Sequence, residues 1–231
     1  MKRIGLVGGF SWISTIDYYR YVNELVNDRL GGLHYADCVL FSISYHEIVS
    51  RGQRQDFDGI ARLITDAAQK LEGAGAQCIV LCANTMHNMA DSIQAGINVP
   101  IIHIAEAVSK AIAAKQMKQV ALLGTKFTME MDFYHKKLAA QGISALIPEE
   151  RDRLFMHSTI HEELGKGVFL PKTKHRYAAI IEQLAKAGAE GAILGCTEIP
   201  MLIKQEDVSI PVFDTTFIHA QAAVEFAMGE N

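Results

Sequence analysis

Ala74-Gly75-Ala76-Gln77-Cys78-Ile79-Val80-Leu81-Cys82-Ala83-Asn84-Thr85-Met86 lies without a gap over Ala187-Gly188-Ala189-Glu190-Gly191-Ala192-Ile193-Leu194-Gly195-Cys196-Thr197-Glu198-Ile199, at a constant offset of 113 residues. The register sets Ala83 against Cys196 and Asn84 against Thr197. Two further pairs extend it. Arg3–Gly9 matches Gln119–Thr125 at an offset of 116, each followed by Asp-aromatic-Tyr (Asp17-Tyr18-Tyr19 and Asp132-Phe133-Tyr134), and Val99-Pro100-Ile101 matches Ile210-Pro211-Val212 at 111. The chain reads as a duplicated α/β unit, with residues 1–100 plus 212–231 as the first lobe and 101–211 as the second. Such a duplication is expected to set two equivalent strand ends face to face across a cleft, where both faces of one small substrate can be addressed.

Short runs rich in Val and Ile alternate with segments of helical period, the pattern of βα units on parallel sheets. Strands are predicted at 3–7, 37–43, 77–82, 100–102, 119–123, 143–146, 190–194 and 211–213. Helices are predicted between them, at 15–29, 57–73, 104–114, 129–140, 173–187 and 216–227. Ile16, Tyr19, Val22 and Val26 would form the apolar face of the first helix, starting from Ser14-Thr15. Gly73, Gly142 and Gly188 stand where helix C-caps belong.

With 231 residues, 49% hydrophobic and 21% charged, the chain has the balance of a globular protein able to build two cores. A net charge of −4 without a basic run argues against nucleic acid or an anionic membrane as partner. The apolar run after Lys2-Arg3 is too short for a signal peptide or membrane span, which predicts a cytoplasmic location. Cys38, Cys78, Cys82 and Cys196 have no zinc spacing and are expected as thiols.

In open parallel sheets ligands bind beyond the carboxyl ends of the strands. The residues there are Gly8-Gly9-Phe10-Ser11-Trp12, Cys82-Ala83-Asn84-Thr85-Met86-His87, Gly124-Thr125 and Gly195-Cys196-Thr197-Glu198. Small residues at such corners let backbone N–H groups approach an anionic small molecule. Neither a GxGxxG nor a GxxxxGK[ST] spacing is present, against a dinucleotide or nucleoside triphosphate. Cys196, ahead of a helix expected from Thr197, is the leading candidate for a reactive thiolate. His157 and His161 are spaced to share a helix face, but no third ligand is evident, so no metal is expected. His87 reads equally as a capping or packing residue or as a group tuning Cys196, and His103 and His219 receive no role. Gln53 and Arg54 lie in a polar segment whose plainer reading is a solvated loop.

The motifs Ile4-Gly5-Leu6-Val7-Gly8-Gly9 with Ser11-Trp12 and Tyr18-Tyr19-Arg20, Leu81–His87, Ala121–Thr125 and Gly195–Ile199 together resemble the cofactor-independent aspartate/glutamate racemases, in their broad-specificity or L-aspartate/glutamate-specific branch. The resemblance spans essentially the whole chain. It implies thiol-based α-proton transfer by two bases without pyridoxal phosphate or any other cofactor, and a homodimer. Cys196 matches the second catalytic cysteine of that family. Phe10, Ala83, Asn84, Thr85, Thr125, Thr128, Thr197 and Glu198 would line the substrate, with Phe10 in place of the methionine common there.

The first family cysteine falls on Ala83, which has no proton to exchange. Cys82 is one residue away and is a candidate for the missing base only if a bulge or early turn rotates it. In an extended strand it points into the sheet packing instead. Other candidates for the second face are Thr85, Thr125, a histidine or water. Three readings follow: an amino-acid racemase with a substituted first base, a one-cysteine enzyme resembling the related decarboxylases, and an amino-acid binding protein that has lost turnover.

Overall fold

The computed structural model describes residues 1–230. In chain order the elements are β1 (Ile4–Gly8), α1 (Trp12–Leu30), β2 (Cys38–Ser42), α2 (Tyr45–Gln53), α3 (Phe57–Gly73) and β3 (Cys78–Leu81). A 3-10 turn (Thr85–Met89) leads to α4 (Ala90–Gln94) and α5 (Ile104–Ala114). There follow β4 (Gln119–Gly124), α6 (Lys126–Glu130), α7 (Asp132–Ala139), β5 (Ser144–Leu146) and α8 (Glu150–Glu162). The chain closes with α9 (Pro171–Lys186), β6 (Ala192–Gly195), α10 (Ile199–Leu202), β7 (Val212–Asp214) and α11 (Thr215–Met228). Among the described residues, no helix is long and apolar enough to cross a membrane.

Two compact units result, 1–103 with the last helical turns from His219, and 104–218. The first holds a parallel sheet ordered β2-β1-β3, the second a parallel sheet ordered β5-β4-β6-β7. The duplication survives to the residue in strand register. Gly5, Leu6 and Val7 pair with Ile79, Val80 and Leu81, while their counterparts Ala121, Leu122 and Leu123 pair with Ala192, Ile193 and Leu194.

Both faces of each sheet are covered, which is why β1, β3 and β6 are buried along their whole length rather than alternating with polar residues. In the first unit Val7, Ile79 and Leu81 pack on α3, whose Ile60, Ile64, Ala67, Ala68 and Leu71 form one helical stripe. On the other face Ile4, Leu6, Cys78, Val80 and Cys82 pack on α1 and α11. The second unit repeats the arrangement. Ala121, Leu123, Ala192 and Leu194 meet α8 and α9, and Val120, Leu122 and Ile193 meet α5 and α7.

Four details differ from the sequence reading. Residues 212–218 belong to the second unit, because β7 extends the second sheet through its pairing with β6 and only the later turns of α11 return to the first. Residues 100–102 form a single parallel bridge, Ile79 to Ile101, rather than a strand. Helix α1 begins at Trp12 behind the Ser11 N-cap and buries Thr15, Tyr18, Val22 and Val26, whereas Ile16 and Tyr19 are each 54% exposed. The rotation has a cause at each end: Thr15 Oγ1 accepts from the Gly9 N–H at 3.0 Å, and the Tyr18 phenol reaches α11. After α3 the left-handed residue is Gly75 (φ 87°) rather than Gly73, and its repeat partner Gly188 (φ 105°) ends α9 in the same way.

Candidate active site

In the second unit the register places Gly124 beside Gly195 at the ends of β4 and β6. The absence of side chains there admits Thr128: a Cβ on Gly195 would lie 3.1 Å from Thr128 Cγ2, and one on Gly124 3.0 Å from Thr128 Cβ. Thr125 caps α6, its Oγ1 accepting from the Thr128 N–H at 3.2 Å and lying 3.1 Å from the Thr128 hydroxyl. Both threonines are buried.

Cys196 follows directly and continues the parity of Ala192 and Leu194, so its side chain lies against the α8–α9 core. Its Sγ donates to Glu198 Oε2 at 2.9 Å, and the Thr197 hydroxyl donates to the same oxygen at 2.9 Å. Thr197 and Glu198 are buried, at 7% and 4% exposure. Burial, followed by the adjacent Glu198 carboxylate, pushes the Cys196 thiol well above its ordinary range. This corrects the expectation of a thiolate held by a helix terminus. Helix α10 has only four residues and starts at Ile199, and the nearest ionisable partner is a carboxylate instead of an imidazolium. The resting form is a thiol hydrogen-bonded to a carboxylate, and proton transfer from Sγ to Oε2 is the step that would release a nucleophilic or basic sulfur.

The equivalent corner of the first unit carries different chemistry. Ala83 holds the position of Cys196 and packs against the core that includes Phe10. Asn84 is buried (4%), and Thr85 opens the 3-10 turn. Cys82 does not fit the role of the missing base. The strand runs straight into it, with the Cys82 N–H on the Val7 carbonyl at 2.9 Å, so it stays on the face of Val80 and Cys78. It is fully buried, its weak S–H contact is to the Val80 carbonyl at 3.8 Å, and burial raises its thiol far above the usual range.

The histidines divide. His157 and His161 on α8 meet edge to face with ring centroids 4.6 Å apart, and His157 Nδ1 accepts the Lys126 N–H at 3.4 Å. Among the described residues no group of three or more His, Cys, Asp and Glu is placed to hold a metal ion. His87, His103 and His219, by contrast, gather in the first unit, with His87 ring centroids 4.9 Å from His103 and 5.1 Å from His219. Sequence reading missed this cluster, because its members come from three separate segments. Arg54 turns back onto Ser50 of its own helix, and Gln53 is exposed. A groove of about 650 Å³ lined by Glu150, Arg151, Leu154, Phe155 and Arg176 contains none of the strand-end residues. Its Arg176 is bound to Asp152 at 2.6 Å and lies over Phe155, which makes it a structural cation.

Comparison with known proteins identifies the family. Residues 7–223 match the model of the Asp/Glu/hydantoin racemases. The chain belongs to that family. Among solved structures it is similar to a Yersinia pestis protein assigned as an Asp/Glu racemase, with 43% identity, a TM-score of 0.93 and coverage of 99% of this chain and 100% of that one. An aspartate racemase homologue from Pyrococcus horikoshii is 37% identical, with a TM-score of 0.87 over 99% of this chain and 100% of the other. The broad specificity amino-acid racemase RacX of Bacillus subtilis is 27% identical over 228 residues, 96% of each chain. The two-lobed α/β fold is that of the Asp/Glu racemases, and the class is that of an isomerase acting on amino acids.

Proposed function

We propose that this racemase moves the α-proton of aspartate, glutamate or a similarly small amino acid through the single thiol of Cys196, with Glu198 as the base that accepts the Sγ proton. The observation that carries the reading is the 2.9 Å contact between Sγ and Oε2 at the end of a strand whose repeat partner ends in Ala83. Transfer of the Sγ proton to Glu198 leaves a thiolate, which takes the Cα proton and becomes a thiol again. The resulting carbanion is stabilised by hydrogen-bond donors on the substrate carboxylate, the role assigned to Asn84, Thr85, Thr125, Thr128 and Thr197. Return of the proton from Cys196 regenerates the starting enantiomer. Inversion requires a proton on the other face from a donor that is not a thiol at position 83; water supplies it, and the hydroxide formed takes back the proton held by Glu198, which restores the thiol–carboxylate pair. Aspartate and glutamate stand ahead of a broad substrate range because the relatives of 43% and 37% identity bear those names, against 27% for the broad-specificity enzyme. Phe10, buried at 7%, limits the side chain to be accepted.

The same alanine favours a second reading, an enzyme that protonates a carbanion from one side only. The experiment is α-proton exchange in deuterated water, followed by NMR for each enantiomer of aspartate, glutamate and a panel of neutral and basic amino acids, with Cys196→Ala as control. Exchange with inversion that the control abolishes supports the racemase. Exchange of one enantiomer with retention supports the one-sided enzyme, and no exchange across the panel would sink both. A homodimer in the reducing cytoplasm completes the proposal. Sedimentation at micromolar concentration tests the dimer.

A further inference from the structure

The cluster of His87, His219 and Tyr18 contains an ordered set of protons. A carbonyl oxygen can only accept, so the 2.9 Å contact between His87 Nδ1 and the Ala83 carbonyl places a proton on Nδ1. The same reasoning at the Ile102 carbonyl puts the proton of His219 on Nε2. His219 Nδ1 is then the acceptor for the Tyr18 hydroxyl at 2.8 Å. Both imidazoles are buried, at 2% and 0% exposure, and each is held in one tautomer by a backbone carbonyl. His87 Nε2 has no hydrogen-bond partner among the described residues, and the His87 ring lies beside those of His103 and His219.

The target of His87 is what gives the cluster meaning. The Ala83 carbonyl belongs to the peptide plane that also carries the Asn84 N–H, and in a trans peptide the two point in opposite directions from one rigid plane. Cys196, at the equivalent place, has a side-chain anchor in Glu198. Ala83 has no side-chain donor or acceptor with which to fix its corner. We infer that His87 is a positioning residue: by donating to the Ala83 carbonyl it fixes the 83–84 peptide, and so aims the Asn84 N–H and the start of the turn bearing Thr85. His219, itself held by the Tyr18 hydroxyl, lies against its ring. The assignment of Asn84 and Thr85 to the substrate rests on the racemase reading, whereas the fixing of the peptide plane does not.

Two measurements separate these layers. Nitrogen-15 NMR of the imidazoles in the intact chain should show His87 protonated on Nδ1 and His219 on Nε2, and the reverse tautomer at His87 would overturn the inference. His87→Asn keeps an N–H close to the place of Nδ1, whereas His87→Leu removes it. The leucine variant should lower kcat for α-proton exchange by about tenfold, the equivalent of one hydrogen bond, with KM moving far less. His87→Asn should restore most of the rate. Amide hydrogen exchange at Asn84–Met86 should quicken in the leucine variant and not in the asparagine variant. If His87→Leu does not fold, Tyr18→Phe provides the same comparison with a smaller effect. Equal rates and equal amide protection in all variants would refute the role. Should the wild type show no exchange of any amino acid, the racemase reading fails, and the tautomers and amide protection still decide whether His87 holds the turn.

Discussion

Sγ of the half-buried Cys196 and Oε2 of the buried Glu198 lie 2.9 Å apart, with the hydroxyl of Thr197 on the same oxygen. The pair stores its proton on sulfur, because a thiolate there would face both desolvation and a neighbouring negative charge. Replacing Glu198 by Gln removes the charge and the base together. α-Proton exchange is expected to fall by about 10²-fold, the scale of a lost general base. Alkylation of Cys196 at neutral pH, followed peptide by peptide by mass spectrometry, is expected to speed up, because the thiol's proton affinity drops. Slower alkylation in the variant would show that Glu198 does not hold the thiol protonated.

Ala83→Cys would restore a thiol at the position equivalent to Cys196. Ala83 is half-buried beside the Phe10 core, so one added sulfur should cost no more than about 1 kcal/mol of stability. The variant should raise inversion relative to exchange with retention by tenfold or more, read by chiral chromatography of substrate recovered from deuterated water. An unchanged ratio would mean that position 83 does not face the reacting carbon.

Cys82 and Cys196 should separate cleanly on substitution. Cys196→Ser removes exchange while leaving the fold intact. Cys82→Ala leaves the rate per folded molecule unchanged and lowers the urea midpoint by the equivalent of about 1 kcal/mol, because a fully buried side chain is truncated. Loss of exchange in Cys82→Ala with unaltered stability would return that thiol to the reaction.

Acid should destabilise the first unit through His87 and His219. Burial, then the neighbouring His103, lowers His87 from 6.5 to about 3, and burial lowers His219 well below 6.5. The groups facing them are Tyr18 on α1, His103 ahead of α5 and each other. A depressed folded-state value means that the unfolded chain binds the extra protons. This contribution to stability is therefore present in full above pH 6.5 and is lost as pH falls from there toward 3. The slope should approach about 1.4 kcal/mol per pH unit for each histidine. Urea titrations between pH 7.5 and 5 on the wild type and His219→Gln check this, and the variant should show the shallower dependence.

Much of this was legible in order. The strand parity that keeps Cys82 with Val80 and Ala83 with Leu81 follows from period 2 alone, and the aligned halves already oppose Ala83 to Cys196. The face of α1 was not legible, since Ile16 and Tyr19 carry the stronger hydrophobic signal. The helix nevertheless turns Thr15 and Tyr18 inward, toward Gly9 and His219.

The duplicated α/β plan, the parallel strands and the corners where the chemistry must lie are set by the order of residues alone, because these depend on local periodicity and on a repeat that each half carries within itself. The raised proton affinity of Cys196 and the assembly of Tyr18, His87 and His219 arise from packing in the folded chain. The first depends on how far packing shields the half-buried Cys196 and on where a rotamer sets Oε2 of Glu198. The second joins residues as far apart as 18 and 219, which no local pattern relates until the folded sheet brings their helices together.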